Sequence, residues 1–249
     1  MSVAFISFRF PGIDRVRCAF QTRCAADDPY AGGNISFSVG DRAYMVTAHR
    51  QALLEKLYSQ GVQAWAELHQ VHGDSLVYEP EGIPCEVSPT VEGDGMATER
   101  PGLGLFIKTA DCQPILLAHR SGRYVAALHV GWRGNRCAFP VSGVSRFCEH
   151  YGLRASDILA VRGPSLGPAR AEFVNFEQEW SEAFRPWFDT ATRTMDLWSL
   201  TRYQLQQAGI PERQIYGLDL CTYSNDNAFF SYRRSRQTGR QGSLIWIRS

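Results

Sequence analysis

Hydrophobic and polar positions along this chain follow two periods, and the changes between them predict its elements. Residues 15 to 20, Arg-Val-Arg-Cys-Ala-Phe, alternate with the period of a strand. Val46, Arg50, Leu53, Leu54 and Leu57 then fall at helical spacing, with Asp41 placed to cap the helix and Gly61 to stop it. Strand-like stretches follow at 62–68 and 75–79. The centre of the chain is its most apolar part. There "LGLFIKTADCQPILLAHR" and "RYVAALHVGW" predict neighbouring buried strands joined by a tight turn at Ser121-Gly122. A helix is expected from near Gly134 to about Tyr151, against the grain of Pro140 and Gly143. A short strand is expected at Ile158–Val161, and helices over 175–186 and 196–208, the second ended by Gly209 and Pro211. The last strands fall near 215–220 and 243–248.

Two stretches break the periodicity. One, from Thr22 to Asn34, is rich in Asp, Pro and Gly. The other runs from Pro80 to Gly104 and contains "VEGDGMATERPG"; a loop of that length inside a compact domain is more often functional than idle. No internal repeat, heptad array or linker divides the chain, so one α+β domain over residues 1–249 is the expected organisation.

Composition narrows the function classes. A chain of 249 residues buries roughly three quarters of its unfolded surface, so it needs neither disulfide nor structural metal for stability. Its net charge of +1 argues against broad binding to nucleic acid or an anionic membrane. The seven cysteines are scattered and form no C-x-x-C pair, which excludes a zinc ribbon or thioredoxin-type motif and fits buried thiols in a reducing compartment. Arg9, Pro11 and Asp14 interrupt the apolar start Val3–Phe8 too early for a secretory signal, and no apolar run approaches a membrane span. A cytoplasmic location is expected.

Against this background a few polar residues need a reason. Asp111 stands between Ala110 and Cys112 inside an apolar stretch, and burying such a carboxylate requires a partner. His129 ends the next strand, just before Gly131-Trp132-Arg133-Gly134. "LHQVHGDS" (68–75) holds two of the six histidines, His69 and His72. Strand alternation places residues i and i+3 on opposite faces, so the pair predicts one functional histidine and one bystander. The residue types fit two chemistries. One cysteine and two histidines make a three-ligand zinc site with an open position; alternatively Cys112 is a thiolate nucleophile with His129 as its base. Both compete with the plain reading that Cys112 is a core thiol and the histidines are satisfied separately. The glycine-flanked turn at 131–134, with Arg133, is a candidate anion site. Arg233, Arg234, Arg236 and Arg240 form a second basic cluster.

The ordered motifs "QVHG" (70–73), "TADCQPILL" (109–117), "HVGWRG" (129–134), "GPSLGP" (163–168), "CTY" (221–223) and "FFSYRR…TGR" (229–240) resemble the YfiH or laccase-domain family, also called multicopper polyphenol oxidoreductase-like or peptidoglycan editing factor. "NISFSVGD" (34–41) is similar to the family's N-terminal segment, which brings Asn34 into the candidate substrate set. The resemblance implies an α/β sandwich with mixed sheets flanked by helices. It also implies zinc held by His72, Cys112 and His129, which makes His69 the bystander.

Two departures stand out. Residues 169–175 read Ala-Arg-Ala-Glu-Phe-Val-Asn where relatives commonly carry Cys-x-Tyr-Glu-Val-Gly, and Ser235 stands where they often carry Asp. A multicopper oxidase needs a trinuclear cluster, and six histidines are too few, although one Cys/His₂ site would bind Cu²⁺ opportunistically. The activity implied by the family is phosphorolysis of adenosine, inosine and methylthioadenosine, with adenosine deamination beside it. On that reading Asp111 is a proton carrier, Arg133 or Arg233 holds phosphate, and the partners are small molecules. The runner-up is an amidase acting on a serine-containing muropeptide precursor. A non-catalytic zinc protein is disfavoured because structural sites normally close with four protein ligands.

Overall fold

The central apolar stretch does not form one strand; it breaks at Ala110–Cys112, and its halves enter different sheets. This is seen in a computed structural model that describes residues 3–24 and 28–249. The first sheet contains β1 (Ala4–Phe8), β2 (Val16–Thr22), β13 (Gln241–Ile247), β6 (Leu103–Thr109) and β3 (Ala64–Glu67), in that spatial order. Only its β3–β6 pair is parallel. The second sheet runs β12 (Ile215–Gly217), β9 (Ile158–Arg162), β7 (Gln113–His119), β8 (Val125–Val130), β5 (Gly95–Thr98), β4 (Leu76–Tyr78). Its edge pairs β12–β9 and β4–β5 are parallel and the rest antiparallel.

Side-chain alternation shows why the two sheets lie face to face. Leu105 and Ile107 of β6 and Ile245 and Ile247 of β13 pack in one cluster with Leu116, Ala118, Val125, Ala127 and Val161 of the second sheet. The intervening residues face outward. Phe106, Leu244 and Trp246 meet Leu53 and Leu57 of α1 (Ala43–Tyr58), while Ile115, Leu117, Ala126 and Leu128 meet Phe147 of α3 (Phe139–Tyr151) and Leu205 of α5 (Leu197–Gln207). The expected α/β sandwich of mixed sheets is therefore built with helices outside both sheets, and β7 and β8 read as unbroken apolar runs because both their faces are buried. No helix among the described residues is long and apolar enough to cross a membrane.

Several local expectations are corrected. The apolar start forms the edge strand β1, which its pattern alone did not predict. Asp41 does not cap α1: Arg42 occupies the cap position, and Asp41 instead accepts from the amide of Asn34 at 2.9 Å. The 80–104 loop contains β5. The helix expected from Gly134 is two helices, α2 (Trp132–Arg136) and α3, separated where Ala138 takes a φ of 57°. Pro140 begins α3 rather than breaking it, since its missing N–H costs nothing in a first turn. Over 175–186 only α4 (Phe176–Glu179) is α-helical; a 3-10 turn follows at Glu182–Trp187, then a small hairpin of β10 (Phe188–Asp189) and β11 (Thr194–Met195). Of the 22–34 loop, residues 25–27 lie outside the described residues.

One ion network is buried beneath α1. Arg50 spans both carboxylate oxygens of Glu67 at 2.9 and 2.8 Å and donates to the carbonyls of Ile35, Cys85 and Val87. Lys108 also bonds Glu67. Among the described residues Glu67 is the only anion paired with these two cations, and removing it strands both in a low-dielectric setting. Glu67→Ala is accordingly expected to lose about 3–5 kcal/mol of unfolding free energy in a denaturant titration. A loss of about 1 kcal/mol or less, typical of an exposed pair, would show that the network does not hold α1 to the sheet.

Candidate metal centre

Strand register assembles the site. β5 and β8 pair antiparallel with Gly95 opposite Leu128, so the next pair outward is Asp94 and His129, and the His129 N–H donates to the Asp94 carbonyl at 2.7 Å. β7 and β8 pair with Gln113 opposite Val130, which sets Cys112 opposite Gly131. The thiol therefore leaves the sheet beside the histidine, in the crossover from β6 to β7. His72 arrives on the turn between β3 and β4. Ligand atoms of His72, Cys112 and His129 all lie within 4.8 Å of one another, and the two imidazole rings meet edge to face with centroids 4.8 Å apart.

The turn bearing His72 is held from two directions. Gln70 donates to the Lys108 carbonyl and accepts from the Lys108 N–H, both at 2.8 Å, so its amide continues the β3–β6 pairing where the strand ends. On the other side the fully buried Asp94 accepts from the backbone N–H groups of Val71 (3.2 Å), His72 (3.0 Å) and Gly73 (2.7 Å). These bonds sustain a φ of 61° at His72, a left-handed conformation that a non-glycine residue adopts at a cost. Asp94 also bonds Nδ1 of His129 at 2.7 Å. An ionised carboxylate only accepts, so that nitrogen carries the proton and Nε2 is free to act as a ligand.

Charge reinforces the geometry. Burial alone would raise the Cys112 thiol, but the charge of His129 and hydrogen bonds from both histidines outweigh it and pull the thiol well below its ordinary range. Burial would lower the His129 imidazole, yet Cys112 and Asp94 together hold it above its usual value. Asp94 is kept low by His129 and the backbone N–H groups, against the opposing effect of burial. The metal-free site is thus poised toward a thiolate–imidazolium pair.

A thiolate and two imidazoles, one buttressed by a carboxylate, are a donor set suited to zinc or a similar borderline metal. Space is kept for it: a Cβ on Gly131 would come within 3.0 Å of the Cys112 sulfur and 3.2 Å of the His72 ring. No fourth Cys, His, Asp or Glu joins the group among the described residues, which leaves a coordination position for water or substrate.

The other expected site residues are distributed unevenly. His69 is exposed, bridges to Glu92 and lies outside the three-residue group. Asp111, at a φ of 94° and only half-buried rather than buried as expected, accepts from the Thr222 hydroxyl at 2.7 Å and the Arg233 N–H at 2.6 Å, which fastens the 221–233 segment. Arg233 donates to the Glu172 carbonyl and lies over Phe173. This connects the divergent 169–175 segment to the loop that carries Cys112. Arg133 is exposed and stacked 4.5 Å over Trp132. Asn34 is buried, and its amide bonds Ser36, Asp41 and the Arg240 N–H, bracing two loops. Asp94 and the structural role of Gln70 were not singled out from sequence, and Gly131 was read there only as part of a candidate anion turn. The available signal for Asp94 was a carboxylate between two glycines directly before a strand.

Two outcomes test this centre. Asp94→Asn should weaken divalent-metal affinity about 10–100-fold in chelator competition, and His72→Ala should abolish binding, while His69→Ala leaves it intact; equal losses in the two histidine variants would overturn the ligand assignment. In metal-free protein, Cys112 should react with iodoacetamide at a pH where an ordinary thiol is protonated, because its thiolate is favoured. His129→Ala should move that profile upward, and a profile unaffected by the change would remove His129 as the cause.

Residues 17–248 match the family model described as multi-copper polyphenol oxidoreductase laccase. The chain is 32% identical to a purine nucleoside phosphorylase of Pseudomonas aeruginosa over 98% of both chains, and 33% identical to purine nucleoside phosphorylase YfiH of Escherichia coli over 88% of both. Its structure superposes on YlmD of Geobacillus stearothermophilus with a TM-score of 0.85 at 28% identity, covering 96% of this chain and 94% of that one. A match over nearly the whole chain, in sequence and in fold, shows that this protein belongs to the laccase-domain (YfiH) family.

Proposed function

We propose that this protein is a zinc-dependent purine nucleoside phosphorylase. On this reading adenosine, inosine or methylthioadenosine reacts with phosphate to give free base and a ribose 1-phosphate, and adenosine deamination is a secondary activity. The observation that carries the reading is a buttressed three-ligand centre with an open position, in a chain whose curated relatives bear the phosphorylase name. Zinc bound there would supply a Lewis acid and an acidified water.

The chain's own residues do the rest. In phosphorolysis a phosphate oxygen bonds to C1′ as the C1′–N9 bond breaks, and the purine leaves with the bonding electrons and gains a proton. Asp94 keeps His129 oriented, with its proton on Nδ1. Asp111 and Arg233 hold the 221–233 segment against the Cys112 loop, which makes Asp111 a brace in this mechanism before it is a proton carrier. His72 is exposed, so the centre is reachable from solvent on that side.

The deciding experiment is incubation of the metal-loaded protein with adenosine and phosphate, followed by chromatography. Adenine and ribose 1-phosphate should form, and Cys112→Ala should abolish them. Full zinc occupancy without turnover would reject the proposal. Release of an amino acid from a serine-containing muropeptide precursor in its place would assign the centre to amide hydrolysis.

A further inference from the structure

We infer that Arg240 is the phosphate-binding residue of this site, an assignment that rests on the phosphorylase reading. Strand register brings it there. β13 pairs with β6 so that Gln241 faces Thr109. One step further out, Arg240 lies at the point where Ala110, Asp111 and Cys112 leave the same edge. Asn34 fixes its backbone by accepting from the Arg240 N–H at 2.9 Å, and the Arg240 carbonyl accepts from Ile35. The side chain is thus anchored at its root by a fully buried neighbour.

Its charge has no ion-pair partner among the described residues, and its guanidinium, partly buried, lies 5.9 Å over the Tyr232 ring. Nη1 donates to the carbonyls of Thr238 and Gly239 at 3.0 Å, which folds the guanidinium over its own turn; Nε and Nη2 have no acceptor among the described residues. Burial works against the charged form, and the negative charges of Cys112 and Asp111 work to retain it. A half-withdrawn cation without a counter-ion is a costly arrangement unless an anion completes it.

The neighbouring cations are already committed. Arg50 and Lys108 share Glu67, Arg234 bonds the carbonyls of Thr222, Tyr223 and Phe229, and Arg233 bonds that of Glu172. Both oxygens of Asp111 are taken up, by the Thr222 hydroxyl and the Arg233 N–H, so its carboxylate makes no hydrogen bond to Arg240. The free edge of Arg240 offers two N–H groups in the planar fork that suits a phosphate dianion.

Phosphate saturation curves at saturating adenosine test this, using wild type, Arg240→Gln and Arg240→Lys, with metal content measured by chelator competition. Arg240→Gln should raise the phosphate KM at least about tenfold, as losing one hydrogen bond to a charged group implies. Adenosine KM and metal affinity should stay near wild type, and Arg240→Lys should recover part of the loss. A phosphate KM within about twofold of wild type in a metal-replete Arg240→Gln would overturn the assignment. Should that variant fail to fold, an unchanged phosphate KM in Arg240→Lys would overturn it equally, since lysine lacks the fork. If wild type shows no phosphorolysis, the functional reading falls separately. Inorganic phosphate titrated by calorimetry then decides the site: binding present in wild type and lost in Arg240→Gln supports it, and equal or absent binding rejects it.

Discussion

The site depends on where one carboxylate is buried. Asp94 is fully withdrawn from water and accepts from three consecutive backbone N–H groups and one imidazole. Burying a carboxylate is costly unless its lone pairs are filled, and here four donors fill them. The same bonds close the turn that carries His72 and set the tautomer of His129. One anion therefore positions two of the three candidate ligands, one through its backbone and the other through its ring.

The sandwich explains why such a carboxylate is available at that place. Its sheets share an apolar interior, so polar chemistry is confined to their ends, where strands stop pairing. β6 and β7 lie in different sheets, and the three residues between them must leave the ladder. Cys112 occupies that crossover, opposite Gly131 and beside the ends of β5 and β8. The arrangement gathers two loop residues, His72 and Cys112, beside His129 near the end of β8 into one cluster without interrupting a hydrogen-bonded strand. A similar logic operates on the far side of the first sheet, where Glu67 at the end of β3 satisfies Arg50 and Lys108 together.

The divergent segments acquire meaning from the same geometry. Residues 169–175 do not belong to the metal group, yet Glu172 and Phe173 meet Arg233, whose N–H is bound by Asp111 next to Cys112. The 169–175 segment is thus connected to the Cys112 loop through Arg233, outside the donor set itself. The polar lattice of Gln113, Asn135, Thr201 and Gln204 performs the complementary task, fixing α2 and α5 behind the strand end with bonds of 2.7–2.9 Å.

Periodicity alone determined the central strands, α1, α5 and the α+β class, because amphipathic spacing is a local property of the chain. The family resemblance implied His72, Cys112 and His129 as ligands, and strand alternation had made a shared role for His69 and His72 unexpected without saying which was functional. Asp94 was not legible, since a carboxylate between glycines in a long loop looks like a solvated turn until β5 is seen pairing with β8. Nor was it legible that the Asp111 oxygens accept from Thr222 and Arg233, residues more than a hundred positions away. The split of one apolar stretch between two sheets, the two-helix start after Gly131 and the place of Arg240 were likewise decided by tertiary structure. Each depends on register between segments distant in sequence, and register is set by how two whole faces bury against each other rather than by any residue's own preference.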